Sequence, residues 1–188
     1  MPRGLRVQAP GVYHVTTQGL SSRGLFVTAD ARKLFLRLLA GVTARYSLRI
    51  HAYCVMTTHY HLLLTTTDDD LARSMQWLNG VFGALLNAIE HDRGHVFGGR
   101  YSSTPILSDA HFKEVVRYIA LNPVRARICA DAADWPWGSY RLLVRGLRLP
   151  PWLDAGPVLS LFGRDADAAL RRLEAFVRDG VGVDNVAA

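Results

Sequence analysis

One short run, Thr58-His59-Tyr60-His61-Leu62-Leu63-Leu64, constrains this chain more than any other part of it. The run is apolar, and Met56-Thr57-Thr58 bounds it upstream, which is the pattern of a buried strand. Side chains alternate along a strand, so His59 and His61 fall on one face and Tyr60, Leu62 and Leu64 on the other. Two imidazoles about 7 Å apart on one face can reach a single metal ion. The competing reading is a pair of hydrogen-bonded histidines at a strand end.

The rest of the chain is arranged around this strand. Residues 11–17, Gly-Val-Tyr-His-Val-Thr-Thr, are β-branched and aromatic and read as a first strand. A Gly/Ser loop follows at 18–24. Asp30 is placed to cap a helix with apolar positions at Leu34, Phe35, Leu38, Leu39, Val42 and Tyr46. Leu48 to Val55 alternates weakly and is apolar on both faces, as a central strand would be. With the His-Tyr-His strand it should form a hairpin in the middle of a sheet.

Asp68-Asp69-Asp70 suits the start of a second helix, striped by Leu71, Met75, Leu78, Phe82, Leu85 and Ile89. Residues 93–102 form a Gly-rich basic loop, and Ser103 to Leu107 a short strand. Ser108-Asp109 caps a third helix with Phe112, Val115, Val116 and Ile119 buried. Tyr118 and Asn122 share a face beside that stripe, and Pro123 ends or bends the helix. Trp135 and Trp137 anchor a loop, Leu149-Pro150-Pro151 punctuates the chain, and residues 165–178 form a last amphipathic helix. The order β-α-β-β-α-β-α implies an α+β fold: a ferredoxin-like antiparallel sheet with helices, of the split βαβ type, with a C-terminal helical extension. The expected division is 1–142 for the main domain and 143–188 for the extension.

Charge adds a second constraint. Residues 1–64 carry eight Lys/Arg against one acid, and residues 93–148 carry nine against four. The segments between and after them, 65–92 and 149–188, are net acidic. Both basic blocks contain the chemistry-bearing stretches, as expected if those face a polyanion. Twenty of the 22 basic residues are Arg, which GC-rich coding would also produce. Cys54 and Cys129 form no metal-binding spacing or disulfide framework. No signal-peptide pattern opens the chain and no apolar run spans a membrane, so a cytoplasmic protein without membrane contact is expected.

The motifs in register resemble a known family. His59-Tyr60-His61 resembles the His-hydrophobic-His (HUH) signature of single-tyrosine transposases, which cut single-stranded DNA. Tyr13-His14-Val15-Thr16, the loop Gly94-His95-Val96-Phe97 with Gly99-Arg100-Tyr101, the segment Arg117-Tyr118-Ile119 with Leu121-Asn122-Pro123-Val124-Arg125-Ala126, and Asp134-Trp135-Pro136-Trp137 all match in order, over residues 10 to 142. The tail, with Leu161-Phe162-Gly163 and Phe176-Val177, is similar to that of the REP-associated tyrosine transposases. Departures occur at Thr57-Thr58, where Pro-Asn is common, at Gln18 and Leu20, and at Gly98 and Ser102.

The resemblance implies roles for particular residues. Tyr118 stands at the nucleophile position, His59 and His61 at the metal-ligand positions, and Asn122 where a polar side chain completes the metal site. Two imidazoles and an amide oxygen suit Mn²⁺, or Mg²⁺ with waters filling its shell. The implied activity is a metal-dependent single-stranded DNA endonuclease and strand transferase, working on hairpin-containing repeat DNA through a 5′-phosphotyrosyl link. The alternative is a domesticated protein that binds DNA hairpins without cutting them, though such a binder needs neither the histidine pair nor the tyrosine. For DNA contacts the candidates are Arg100 and Arg125, then Arg23, Arg117 and Arg127, since guanidinium suits phosphate. Phe97, Tyr101 and Trp137 are candidates for base stacking. Short members of the family act as dimers that exchange the tyrosine helix, so either a monomer or a homodimer is expected.

Overall fold

The structure, a computed structural model, describes residues 9–20 and 24–181. The candidate DNA contact Arg23 lies outside the described residues. Four strands are present: β1 (Gly11–Gln18), β2 (Leu48–Val55), β3 (His59–Thr66) and β4 (Ser102–Pro105). They form one antiparallel sheet in the order β2-β3-β1-β4. Helices α1 (Ala29–Arg45) and α2 (Leu71–Glu90) connect them, α3 (Asp109–Arg125) follows β4, and α4 (Ser139–Val144), α5 (Gly156–Ser160) and α6 (Ala166–Arg178) complete the chain. This is the split βαβ arrangement that the element order implied.

The sheet has a buried layer on each face. Tyr13, Val15, Tyr60, Leu62 and Leu64 pack under α1 and α2, against Phe35, Leu39, Val42, Met75, Leu78 and Phe82. On the other face Ala52, Cys54 and Leu63 pack against Phe112, Val115, Val116 and Ile119 of α3, in a cluster that also takes in Ala169, Leu173 and Val177 of α6. The extension and α3 therefore share one apolar cluster.

β2 differs from its expected place. The central pair is β1 and β3, and β2 is the outer strand of the hairpin. It reads as central because later segments cover its outer edge. The Val55 amide donates to the Trp137 carbonyl at 2.9 Å, and the Asp154 amide donates to the Ile50 carbonyl at 2.8 Å. Ser139 Oγ accepts from the Tyr53 amide at 2.9 Å. A register shift between Ile50 and Ala52 makes His51 the extra residue of a bulge. That shift puts Ile50 in the α1/α2 layer and Ala52 with Cys54 in the α3 layer, which explains the weak alternation.

Helix boundaries follow local chemistry. α1 is capped by Thr28, whose hydroxyl accepts from the Ala31 amide at 3.1 Å, with Asp30 in the first turn rather than at the cap. α3 is capped by Ser108, as the sequence implied. Pro123 does not end α3: the helix runs to Arg125 with Pro123 inside it. Proline costs the helix one donor, and the Ala126 amide still reaches the Asn122 carbonyl at 3.0 Å.

Candidate active site

The site lies on the side of the sheet that α3 covers, where His59 and His61 of β3 and His14 of β1 meet the helix. Strand alternation puts the rings of His59 and His61 on that face, 4.9 Å apart between centroids and nearly perpendicular. α3 presents Tyr118 and Asn122 to them, one helical turn apart. Asn122 bridges the pair: its Oδ1 lies 3.3 Å from His59 Nε2, and its Nδ2 lies 3.1 Å from His61 Nε2. The Tyr118 ring stands edge-on to His61 at 5.3 Å. The guanidinium of Arg125 lies over the Tyr118 ring, 5.3 Å from its centroid.

The sequence reading missed His14. It lies on β1, two positions from the partner of His61 in the β1–β3 register and so on the same face, where Thr16 faces His61 and His14 faces Leu63. Its ring stacks on His61 at 5.1 Å and meets the edge of Tyr118 at 5.7 Å. His14 Nε2 is 3.0 Å from His61 Nδ1. Because Asn122 donates to His61 Nε2, the His61 proton sits on Nδ1 and is donated to His14. The available signal was the alternation of Tyr13 and Val15 with His14 and Thr16, which puts His14 on the polar side of β1.

Burial keeps these imidazoles neutral. The His61 pKa is held well below 6.5 by burial, with His14 and His59 adding to the effect. His14 is pushed down to about 4 by burial, and His111 works in the same direction. Burial also lowers His59, against a hydrogen bond that it donates to Asn122 Oδ1. Neutral imidazoles offer the lone pairs that a metal ion needs.

The donor set fits a hard divalent cation. Adjacent ligands of an octahedral ion with bonds of about 2.1 Å lie about 3.0 Å apart, and Asn122 Oδ1 lies 3.3 Å from His59 Nε2. Among the described residues no group of three His, Cys, Asp or Glu is placed to hold a metal, and the Asn122 amide oxygen is the further oxygen donor beside the two imidazoles. Thr58 Oγ1, 3.0 Å from His59 Nδ1, steadies the first imidazole.

The other candidates are scattered. Arg125 and Arg127 are exposed where α3 ends, with Arg127 in the left-handed region at φ 56°. The Gly-rich loop docks on the end of β1 through a hydrogen bond from the Gly98 amide to the Gln18 carbonyl at 3.1 Å. A Cβ on Gly98 would sit 3.3 Å from the Gly19 carbonyl oxygen, so the close approach favours glycine. Phe97 packs against Phe82 and, with Arg100, Asn79 and Gly80, lines an open groove of about 480 Å³ between this loop and α2. Tyr101 is buried in the α1/α2 layer. Trp137 is half-buried with Arg32 over its ring at 5.4 Å. Arg117 turns away from the site: it pairs with Glu114 and stacks on Phe176 of α6 at 4.4 Å.

A split βαβ sheet with paired histidines facing a helix tyrosine defines a narrow structural class. The family model described as "Transposase IS200 like" matches residues 11–122, more than half of the 188 residues. The chain belongs to the IS200-like transposase family, and is thus an enzyme of the transposase kind. The resemblance read from the motifs is borne out at this level. Among solved structures it is similar to that of a REP-associated tyrosine transposase bound to a REP hairpin, at 21% identity and a TM-score of 0.65, over 82% of this chain and 93% of the other. At this identity the match establishes the shared fold. A proposed transposase from Deinococcus radiodurans R1 aligns at 18% identity and a TM-score of 0.44, over 63% of this chain and 95% of that one. The tRNA(His) guanylyltransferase of Saccharomyces cerevisiae aligns at 10% identity and a TM-score of 0.49, over 94% and 82%. No curated protein sequence matches significantly. No helix among the described residues is long and apolar enough to cross a membrane.

Proposed function

We propose that the protein nicks and rejoins single-stranded DNA beside a hairpin, with Tyr118 as nucleophile and a divalent cation held by His59, His61 and Asn122. The observation that carries this reading is the convergence of both Nε2 atoms on the Asn122 amide beside the Tyr118 ring. A bound Mg²⁺ or Mn²⁺ would supply charge stabilisation at the scissile phosphate. Tyr118 Oη forms a bond to phosphorus, the P–O3′ bond breaks, the phenolic proton passes to solvent, and the departing oxygen takes up a proton to become a 3′-OH. The 5′-phosphotyrosyl ester keeps the bond energy, so attack by another 3′-OH rejoins strands without a nucleotide cofactor. His14 fixes the His61 ring, and Arg125 places positive charge above the tyrosine where phosphate enters.

A hairpin as partner is drawn from the DNA-bound relative. Arg125, Arg127 and Arg100 are the proposed phosphate contacts, and Phe97 a proposed base contact at the groove. Because Tyr118 meets its own chain's histidines, a monomer holds a complete set of these residues, and we propose that it is the active unit. Residues 143–188 are proposed as an extension, whose α6 braces α3.

The test is covalent capture. End-labelled hairpin DNA with unpaired flanks is incubated with Mn²⁺, and the products are run on a denaturing gel. The wild type should carry label, and Tyr118→Phe and His61→Ala should not. DNA retained on a native gel with no adduct, across substrates and metals, would instead support a binding protein that does not cut.

A further inference from the structure

We propose that Arg32, held between Trp135 and Trp137, is a binding site for a DNA backbone phosphate, at the sheet end that carries the histidine pair. The inference rests on the reading that the protein acts on DNA, and adds a contact on an element that reading does not use.

The guanidinium carbon of Arg32 lies 5.4 Å from the centroid of each indole ring. Two aromatic faces fix the plane of the guanidinium and remove the rotamer freedom an arginine ordinarily loses on binding. They do not neutralise its charge. Among the described residues no carboxylate pairs with it, and its one hydrogen bond, to the Val27 carbonyl, is long at 3.5 Å. Its Nε is buried without an acceptor. Burial lowers its pKa, and no acidic neighbour opposes the shift. A partly desolvated cation kept without a counter-charge is costly unless an anion completes it.

The clamp is connected to the turn ahead of His59. Trp135 donates from Nε1 to the Val55 carbonyl at 3.2 Å, and the Val55 amide donates to the Trp137 carbonyl at 2.9 Å. The Phe26 amide, just ahead of α1, donates to the Thr57 carbonyl at 2.9 Å. The two tryptophans therefore rest on Val55 at the end of β2, and the segment ahead of α1 rests on Thr57 in the turn that leads into His59. A DNA strand held at Tyr118 would need to pass around the β2–β3 turn for a further phosphate to meet Arg32. Phosphate is the fitting anion, because the forked guanidinium matches two phosphate oxygens and the 1–64 block is strongly basic.

The experiment compares wild type with Arg32→Met, which keeps an apolar stem between the indoles, and Arg32→Lys, which keeps the charge. Binding to a fluorescent hairpin oligonucleotide with unpaired flanks is followed over a salt series, alongside thermal melting and the Mn²⁺ adduct assay. The expected result is about tenfold weaker binding for Arg32→Met and a log K against log salt slope shallower by about 0.7–0.9, one phosphate contact, with the slope restored in Arg32→Lys. An Arg32→Met protein with the wild-type slope overturns the proposal, including the case where only its melting temperature falls, since that marks a packing role. Binding that depends on Arg32 without any adduct upholds this site and refutes the nicking reading. An adduct with an unchanged slope does the reverse. No binding by the wild type refutes both.

Discussion

Replacement of His14 by Phe isolates one contact. The phenyl ring keeps the stacked plane against His61 and the edge contact to Tyr118, but it has no counterpart of Nε2, which lies 3.0 Å from His61 Nδ1. The His61 proton then loses its acceptor, and the ring is no longer held with Nε2 toward Asn122. A typical hydrogen bond is worth about 1 kcal/mol net, which alone is about fivefold in affinity. Partners of metal-bound histidines are worth more, about 10- to 100-fold, because they fix orientation and raise ligand basicity. The His14→Phe protein should therefore bind Mn²⁺ about 10- to 100-fold more weakly by calorimetric titration. At saturating Mn²⁺ the single-turnover rate of adduct formation should return to within a few-fold of wild type, because Tyr118 stays in place. Unchanged Mn²⁺ affinity would refute the reasoning. A rate that saturating metal fails to restore would also refute it, since His14 would then act on Tyr118.

Further outcomes follow from other contacts. Without metal, stability should fall as pH drops from about 6.5 toward 4: His14 is held at about 4 in the fold, the unfolded chain takes up the proton first, and the contribution is complete only above 6.5. The loss from His14 alone is about 3 kcal/mol, His59 and His61 shift in the same direction, and urea unfolding across this range should be flatter in His14→Phe; a flat wild-type profile would count against the buried neutral cluster. Arg117→Ala should lower stability by about 1–2 kcal/mol through its lost contacts with Glu114 and Phe176 while leaving the salt slope of DNA binding unchanged; a shallower slope would return Arg117 to the interface. Ser139→Ala removes the acceptor of the buried Tyr53 amide and should cost about 1–3 kcal/mol in urea unfolding. Gly80→Ala should raise stability by about 1 kcal/mol, since an added Cβ meets nothing within 4 Å; a lower melting temperature would contradict the open groove.

Much of this arrangement is written locally. The strand parity of His59 and His61 and the one-turn spacing of Tyr118 and Asn122 depend only on periods of two and about 3.6 residues. What the sequence hid depends on contacts between distant segments. His14 becomes relevant only through the β1–β3 register, which brings it to a residue 47 positions away. Arg117 reads as a candidate phosphate contact until α6 lies over it, and Tyr101 reads as a candidate base-stacking residue in a loop until the α1/α2 layer closes around it. β2 reads as central because apolar character reports cover, whether a strand or a loop provides it. The bulge at His51 erases the alternation that would have identified its faces.

The cover over β2 has a consequence for anyone who trims the chain. The family-matched segment ends at Asn122, and a fragment cut there would lose Trp137, Ser139 and Asp154, whose backbone and side-chain groups occupy the outer edge of β2. That strand is buried at seven of its eight positions in the intact protein. Uncovered, it would present a row of free amides and carbonyls along an apolar ribbon, the surface on which separate chains add to one another as sheets. The chain beyond Asn122 would then be what keeps β2 from pairing with other chains, and shortened versions should be judged first by whether they stay monodisperse.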